Sequence, residues 1–209
     1  MIPAKTLDAL LTDDRLAPVQ RAIVDRIKLL NPGLNVVTHP GKVDLSELVS
    51  KTIVNSPGIG IGWSRIREAA LSDGAFNAAV EWVAYIVAEA RLVGGKRIEK
   101  EAIGMAIGAR LIEMLADLDT SMWGLTGVLP PSDTPAPELK PLFTIRDAAQ
   151  GVAYYTVTWT QVVADLGTPI FPAGTGTYDE ARNVIQFADD AALGDITKWI
   201  IAREDPDNA

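Results

Sequence analysis

The chain has 209 residues, of which 48% are hydrophobic and 22% charged, as is ordinary for one folded soluble domain with extensions. Its 19 basic and 27 acidic residues give a net charge of −8, which argues against a protein that coats nucleic acid, because phosphate binding requires a clustered positive surface. The chain has no cysteine, which excludes disulfides, thiolate nucleophiles and cysteine-ligated zinc and is compatible with a reducing cytoplasm.

The first part of the chain is predicted to be helical. Apolar residues recur at helical spacing over residues 3–11 and 16–30, and the Asn-Pro-Gly triplet at 31–33 ends the second helix. No basic start followed by an apolar run precedes these helices, so no secretory signal is expected. A short strand is predicted over residues 34–38.

A longer strand is predicted from about residue 53 to residue 63. Its apolar face consists of Ile59, Ile61 and Trp63. Only glycines occupy the other face, so we expect another backbone or side chain to approach that bare face closely. The chain leaves this strand through Arg65 and Arg67 into a polar turn.

Two further segments alternate with a period of two. Residues 75–91 are predicted as a half-buried strand, although their alanines also fit a helix, and residues 154–163 alternate more cleanly. On the second segment an aromatic face should pack, while a threonine face that includes Thr156 and Thr158 should meet water or a neighbouring subunit. A strand over residues 142–146 is predicted to form a terminal hairpin with it, after a proline-rich surface loop over residues 121–141.

A long helix is predicted over residues 97–118, and it carries two apolar stripes. One stripe should face the sheet; the other could face the N-terminal helix or another copy of the chain. The Gly-x-x-x-Gly spacing of Gly104 and Gly108 favours tight packing on a sheet or on a sister subunit. The candidates for subunit contact are Ile103, Ile107, Gly108, Leu111, Thr156 and Thr158.

The composition changes after residue 165 to a glycine-, proline- and threonine-rich stretch, followed by a predicted strand over residues 183–187 and a helix over 196–202. We therefore predict one α+β domain over residues 1–165 and a C-terminal extension over residues 166–209. The domain should contain an antiparallel or mixed β-sheet packed against one long helix and the N-terminal helices.

No catalytic, cofactor or metal site is predicted. The single histidine, His39, lies in a turn and has no cysteine or second histidine with which to share a metal. No serine lies in a Gly-x-Ser-x-Gly elbow, and the glycines at 58–62 lack the third glycine and the following helix of a dinucleotide site. Five tryptophans are interpreted as core and interface anchors. The longest nearly uncharged run, 102–116, is too short to span a membrane.

The order of these elements resembles that of the Mu-like phage tail terminator family over about residues 15–165. The motifs that carry the resemblance are the strand entry Pro57-Gly58-Ile59, the strand end at residues 91–95 and the strand Tyr154-Tyr155-Thr156-Val157. Chains of that family are somewhat shorter, so residues 166–209 depart from its pattern.

The resemblance implies a structural protein without catalysis or cofactor. It implies a homohexameric ring that caps the tail tube, stops its polymerisation and provides the surface for head attachment. The expected partners are a second copy of the chain, the tail tube protein and the head-tail connector or stopper protein, with genomic DNA passing through the lumen without specific binding. The expected location is the head-proximal end of the virion tail, and the host cytoplasm during assembly.

The polar turn after the glycine-rich strand could reach an adjacent protein, so Arg65, Arg67 and Glu68 are the candidates for contact with tube or connector. Two alternatives stay open. A connector or stopper protein of the same junction would bind the head portal instead of tube ends. A small non-metal hydrolase or ligand-binding domain would be a monomer or dimer whose activity depends on His39 or a single acid.

Overall fold

The computed structural model describes residues 4–41, 54–70, 76–142, 151–164, 166, 176–179 and 184–187. The chain separates into two compact units, Met1–Gly167 and Thr168–Ala209. The first unit combines helices with a mixed five-stranded sheet, which confirms the predicted α+β class.

The first unit contains four helices and seven strands within the described residues. The helices are α1 (Leu7–Thr12), α2 (Leu16–Leu30), α3 (Lys100–Ala116) and α4 (Leu118–Ser121). The strands are β1 (Asn35–Thr38), β2 (Gly58–Ala70), β3 (Phe76–Glu89), β4 (Arg91–Val93), β5 (Lys96–Ile98), β6 (Glu138–Pro141) and β7 (Val152–Val163). In the second unit, β8 (Gly176–Asp179) pairs antiparallel with β9 (Val184–Phe187).

The main sheet has the strand order β1-β2-β3-β7-β6. The short edge strand β1 runs parallel to β2, and every other neighbouring pair is antiparallel. The three long strands β2, β3 and β7 form the centre. Strands β4 and β5 form a separate hairpin.

Helices α2 and α3 contribute to one continuous apolar cluster with one face of the sheet. Helix α2 supplies Ile23 and Ile27, which are fully buried, and α3 supplies Leu111. They pack with residues of one parity from the central strands, among them Ile86 and Val157. Burial of each such side chain contributes about 1.5–3 kcal/mol, so this face of the sheet holds the core.

The other face of the sheet carries a smaller apolar cluster. Its buried members are Val54, Val83, Tyr85, Val87 and Tyr154. The glycine positions of β2 lie on this face, and a Cβ atom at Gly62 would lie 2.9 Å from the carbonyl oxygen of Gly41. At Gly58 it would contact the carbonyl oxygen of Asn55. The expectation of a close approach to the glycine face is confirmed at both positions.

The long helix starts later than predicted. It begins at Lys100 because residues 96–98 pair with β4 instead. Gly94 and Gly95 both have positive φ, 58° and 78°, which is the backbone that a two-residue hairpin turn requires. The predicted helix also ended at residue 118, whereas α3 ends at Ala116 and a new helix, α4, is capped by the Asp117 carboxylate, which accepts a hydrogen bond from Thr120 N at 2.8 Å.

The predicted proline-rich loop over residues 121–141 contains a strand, β6, which pairs with β7. Leu142 extends that pairing by one hydrogen bond, from its N–H to the carbonyl of Tyr154 at 2.9 Å. From residue 143 onward, the strand predicted over residues 142–146 lies outside the described part of the chain, as does the predicted helix at 196–202. The predicted strand at 183–187 is confirmed as β9.

Candidate functional site

Three tryptophans form a row across the centre of the sheet. The strand register places Trp63 of β2 opposite Trp82 of β3, and Trp82 opposite Trp159 of β7. Trp82 and Trp159 are buried, whereas Trp63 is 39% exposed. The row therefore has a closed end at Trp159 and an open end at Trp63.

A fully buried glutamine, Gln161, lies at the closed end of the row. The Oε1 atom of Gln161 accepts hydrogen bonds from the indole N–H groups of Trp123 at 2.8 Å and Trp159 at 2.9 Å. Its Nε2 donates to the carbonyl oxygens of Ser121 at 2.8 Å and Leu129 at 2.9 Å. Four polar groups are thus satisfied by one buried side chain, which fixes the loop after α4 onto the sheet.

The open end of the row coincides with an unpaired stretch of sheet edge. Strand β1 pairs with β2 only over residues 58–61. Beyond that point, no strand in the described part of the chain pairs with the outer side of residues 63–70, and residues 63–68 are exposed. Among the described residues, this half of β2 is therefore an edge strand, whose outward backbone N–H and C=O groups have no strand partner.

A β-bulge at Ser64 divides β2 into two halves. Trp63 pairs with Trp82 and Arg65 with Glu81, so two steps on β2 correspond to one step on β3. Before the bulge, Trp63 lies on the helix-covered face; after it, Ile66 does, opposite Val80. Arg65 is thereby turned to the opposite face, and the edge becomes apolar on one side and cationic on the other.

The cationic side is built around one carboxylate. Glu81 accepts a hydrogen bond from Arg65 at 2.6 Å and one from the Ser64 hydroxyl at 3.0 Å, and Arg67 lies 3.8 Å away. The Arg65 hydrogen bond, opposed by desolvation and supported by Ser64 and both arginine charges, lowers the pKa of Glu81 below its ordinary value. Because two exposed arginines share one carboxylate, this side of the edge keeps an excess positive charge.

The apolar side opens into a cleft of about 230 Å³ between β2 and the start of α2. Its lining residues include Leu16, Ala17, Trp63, Ile66 and Trp82. The buried indole N–H of Trp82 has no hydrogen-bond acceptor within the part of the chain that the structure describes. Of the polar residues that line the cleft, Gln20 uses its Nε2 to donate to the carbonyls of His39 and Ile61, and the Asp14 carboxylate accepts from the first amides of α2.

The candidates for subunit contact are distributed differently from what the stripes predicted. Ile107 and Leu111 are buried in the core of their own chain, and Gly108 is buried against Leu139 of β6. Ile103 is half-buried. The exposed face of α3 instead includes Ala102, Met105 and Ala109 of the other predicted stripe, together with Ala106.

The two threonine candidates on β7 also separate. Thr156 is buried, and Thr158 is exposed opposite Glu138 of β6. Ile103 and Thr158 are therefore the subunit-contact candidates that keep accessible surface in the single chain.

The predicted tube or connector contacts are brought together in part. Arg65 and Arg67 converge on Glu81, whereas Glu68 pairs in register with Ala78 on the helix-covered face. The sequence analysis missed the bulge that separates them. Its signal was the change of apolar spacing from two to three between Trp63 and Ile66.

The described residues give little support to a metal site or to a reaction that depends on His39. They contain no group of three or more histidine, cysteine or acidic residues that could hold a metal ion. His39 packs its ring edge-on against Tyr85, with ring centroids 5.7 Å apart. None of the described helices has the length and apolar character needed to cross a membrane.

A scan against protein-family models gives no match, and a search of curated proteins gives none.

Proposed function

We propose that the protein is a phage tail terminator, a structural protein that caps the tail tube as a ring, stops tube polymerisation and provides the surface for head attachment. The observation that carries this proposal is the open half of β2, because an exposed sheet edge is a ready template for pairing with another protein. The resemblance to the terminator family concerns residues 15–165, which lie within the first compact unit.

A ring of identical subunits needs two different surfaces that fit each other. We assign one of them to the exposed face of α3 and the adjacent Ile103, which lie on the β7 side of the sheet; Thr158 lies on the other face of the sheet, opposite Val83. The open half of β2 lies on the other side of β3 and carries the candidate tube or connector contacts Arg65 and Arg67. Ring closure and partner binding would then use separate surfaces.

In this proposal the protein acts without a cofactor. It would assemble in the host cytoplasm and remain at the head-proximal end of the virion tail, between the tail tube protein and the connector or stopper protein. The net charge of −8 suits a lumen through which DNA passes without binding.

The test is the solution mass of the purified protein by light scattering, alone and with tail tubes, together with negative-stain images of the mixture. We expect rings of six times the 22.4 kDa subunit mass at tube ends. A compact monomer that ignores tubes would contradict the proposal, and binding to the head portal instead of tubes would favour a connector.

A matched pair of variants tests the assigned ring surface. Met105→Arg, at a 59% exposed position on α3, places a charge on the proposed contact and should abolish rings while the protein stays folded. Leu92→Arg, at a 73% exposed position on the β4–β5 hairpin, should leave rings intact. The variant His39→Ala should also assemble normally, because the proposal gives His39 no role in a reaction.

A further inference from the structure

We infer that the open half of β2 binds an extended segment of a partner protein, added as a strand along residues 63–69, whose acidic side chains alternate with apolar ones. The partner's identity as tube or connector protein rests on the proposed function, whereas the binding mode rests on the geometry of the edge.

The backbone of β2 specifies a strand as the occupant. Over residues 65–70 this strand pairs with β3 on one side, and its outward N–H and C=O groups have no strand partner in the described part of the chain. An extended segment would satisfy these groups with the same hydrogen bonds that hold the sheet together. Sequence preference would then come from the two faces of the edge.

The apolar face specifies a large side chain that carries a hydrogen-bond acceptor. The cleft beside Trp63 and Ile66 has a volume of about 230 Å³, below the roughly 300–1,000 Å³ of small-molecule sites, so it suits one inserted side chain. The buried Trp82 N–H has no acceptor within the described part of the chain, and a buried donor left unpaired is unfavourable. A tyrosine or glutamine oxygen entering the cleft would accept this hydrogen bond.

The cationic face specifies acidic side chains at the alternate positions. Arg65 and Arg67 are exposed, and within the described residues Glu81 is the carboxylate that both of them contact. Successive side chains of an added strand point to opposite faces. A segment that inserts an apolar residue into the cleft therefore places its neighbours beside the two arginines, where carboxylates are favoured.

The other edge of the same sheet is poorly suited to pair with the open half of β2, which argues against a second copy of this chain as the partner. Strand β6 has four residues, its Glu138 is already paired with Lys140 at 2.6 Å, and Pro141 has no N–H to donate. The exposed edge strand β6 thus lacks the alternation of acidic and apolar side chains that the open half of β2 requires. We therefore assign the site to a different protein.

The test uses the full-length protein and a fluorescein-labelled decapeptide of alternating glutamate and valine in which the central valine is tyrosine. Fluorescence anisotropy should show binding that weakens as salt is added. Replacing every glutamate by lysine, or methylating alternate backbone amides, should weaken binding by roughly tenfold or more, because each change removes one element of the site.

The matched protein variants are the double substitution Arg65→Glu with Arg67→Glu, and the control Arg97→Glu, whose side chain is also exposed. The double variant should bind the peptide roughly tenfold more weakly or worse while it still unfolds in one cooperative urea transition, whereas Arg97→Glu should bind normally.

Three results would overturn the inference: no binding of the acidic peptide, equal binding of the lysine peptide, or a reduced solution mass of the double variant, which would assign the edge to a second copy. Rings that cap tubes without binding the peptide would refute the inference alone. Peptide binding by a protein that ignores tubes would refute the proposed function alone.

Discussion

The two ends of the tryptophan row differ in where the polar atoms of their indoles find partners. At the closed end, Gln161 accepts hydrogen bonds from Trp123 and Trp159, and the chain supplies every partner itself. At the open end, Trp63 is 39% exposed, and the buried N–H of Trp82 has no acceptor within the described part of the chain. Because buried polar groups are nearly always paired, the closed end is a structural joint, and the open end is where a second molecule would complete the structure.

The sharpest way to break the closed end is Gln161→Leu. This substitution leaves two indole N–H groups and two backbone carbonyls buried without their partner, so we expect the free energy of unfolding to fall by at least about 3 kcal/mol. Urea unfolding followed by tryptophan fluorescence measures the loss. Thr158→Val, on the same strand at an exposed position, is the control and should change stability by less than about 0.5 kcal/mol. A loss below about 1 kcal/mol in Gln161→Leu would contradict the role given to this residue.

A pair of identical substitutions compares the two ends directly. Trp159→Phe and Trp82→Phe remove similar apolar volume from neighbouring positions of the row, but only Trp159 loses a hydrogen bond, to Gln161. We therefore expect Trp159→Phe to cost about 1–2 kcal/mol more than Trp82→Phe. The difference between the two urea midpoints, at equal dependence on urea concentration, provides the measurement. Equal losses would mean that the N–H of Trp82 is also paired.

The smallest expected effect concerns pH at the open end. The folded protein lowers the pKa of Glu81, so its contribution to stability is present above the ordinary value of 4.5 and is lost as the pH falls through the lowered pKa. Between about pH 5 and pH 3, wild type should lose up to about 1 kcal/mol more stability than Glu81→Gln. Parallel pH profiles of the two proteins would show that the arginines do not stabilise the carboxylate.

Much of the fold followed from local patterns. Strict alternation predicted β7, and glycines on one face of β2 predicted the close approach observed at Gly58 and Gly62. The hairpin β4–β5 was missed because its three-residue strands are too short to show a period, and Ile98 also fits the apolar spacing of the following helix. Strand β6 was missed because its one proline and its two charged residues are typical of a loop.

The site was less predictable than the fold. Arg65 and Arg67 were singled out from the polar turn that follows them, but the tryptophan row depends on the register of three strands that are far apart in sequence. The two faces of the open edge depend on one bulge at Ser64, which reverses the parity of every later residue in β2. No local pattern of residue types fixes either feature.

The most direct test of the open end as a docking surface is backbone hydrogen exchange of the intact protein, measured by mass spectrometry with and without tail tubes. The account predicts that residues 63–69 exchange rapidly in the free protein and become protected when tubes are added, while the β4–β5 hairpin is unchanged. Tubes that bind the protein and leave the exchange of residues 63–69 unaltered would contradict it.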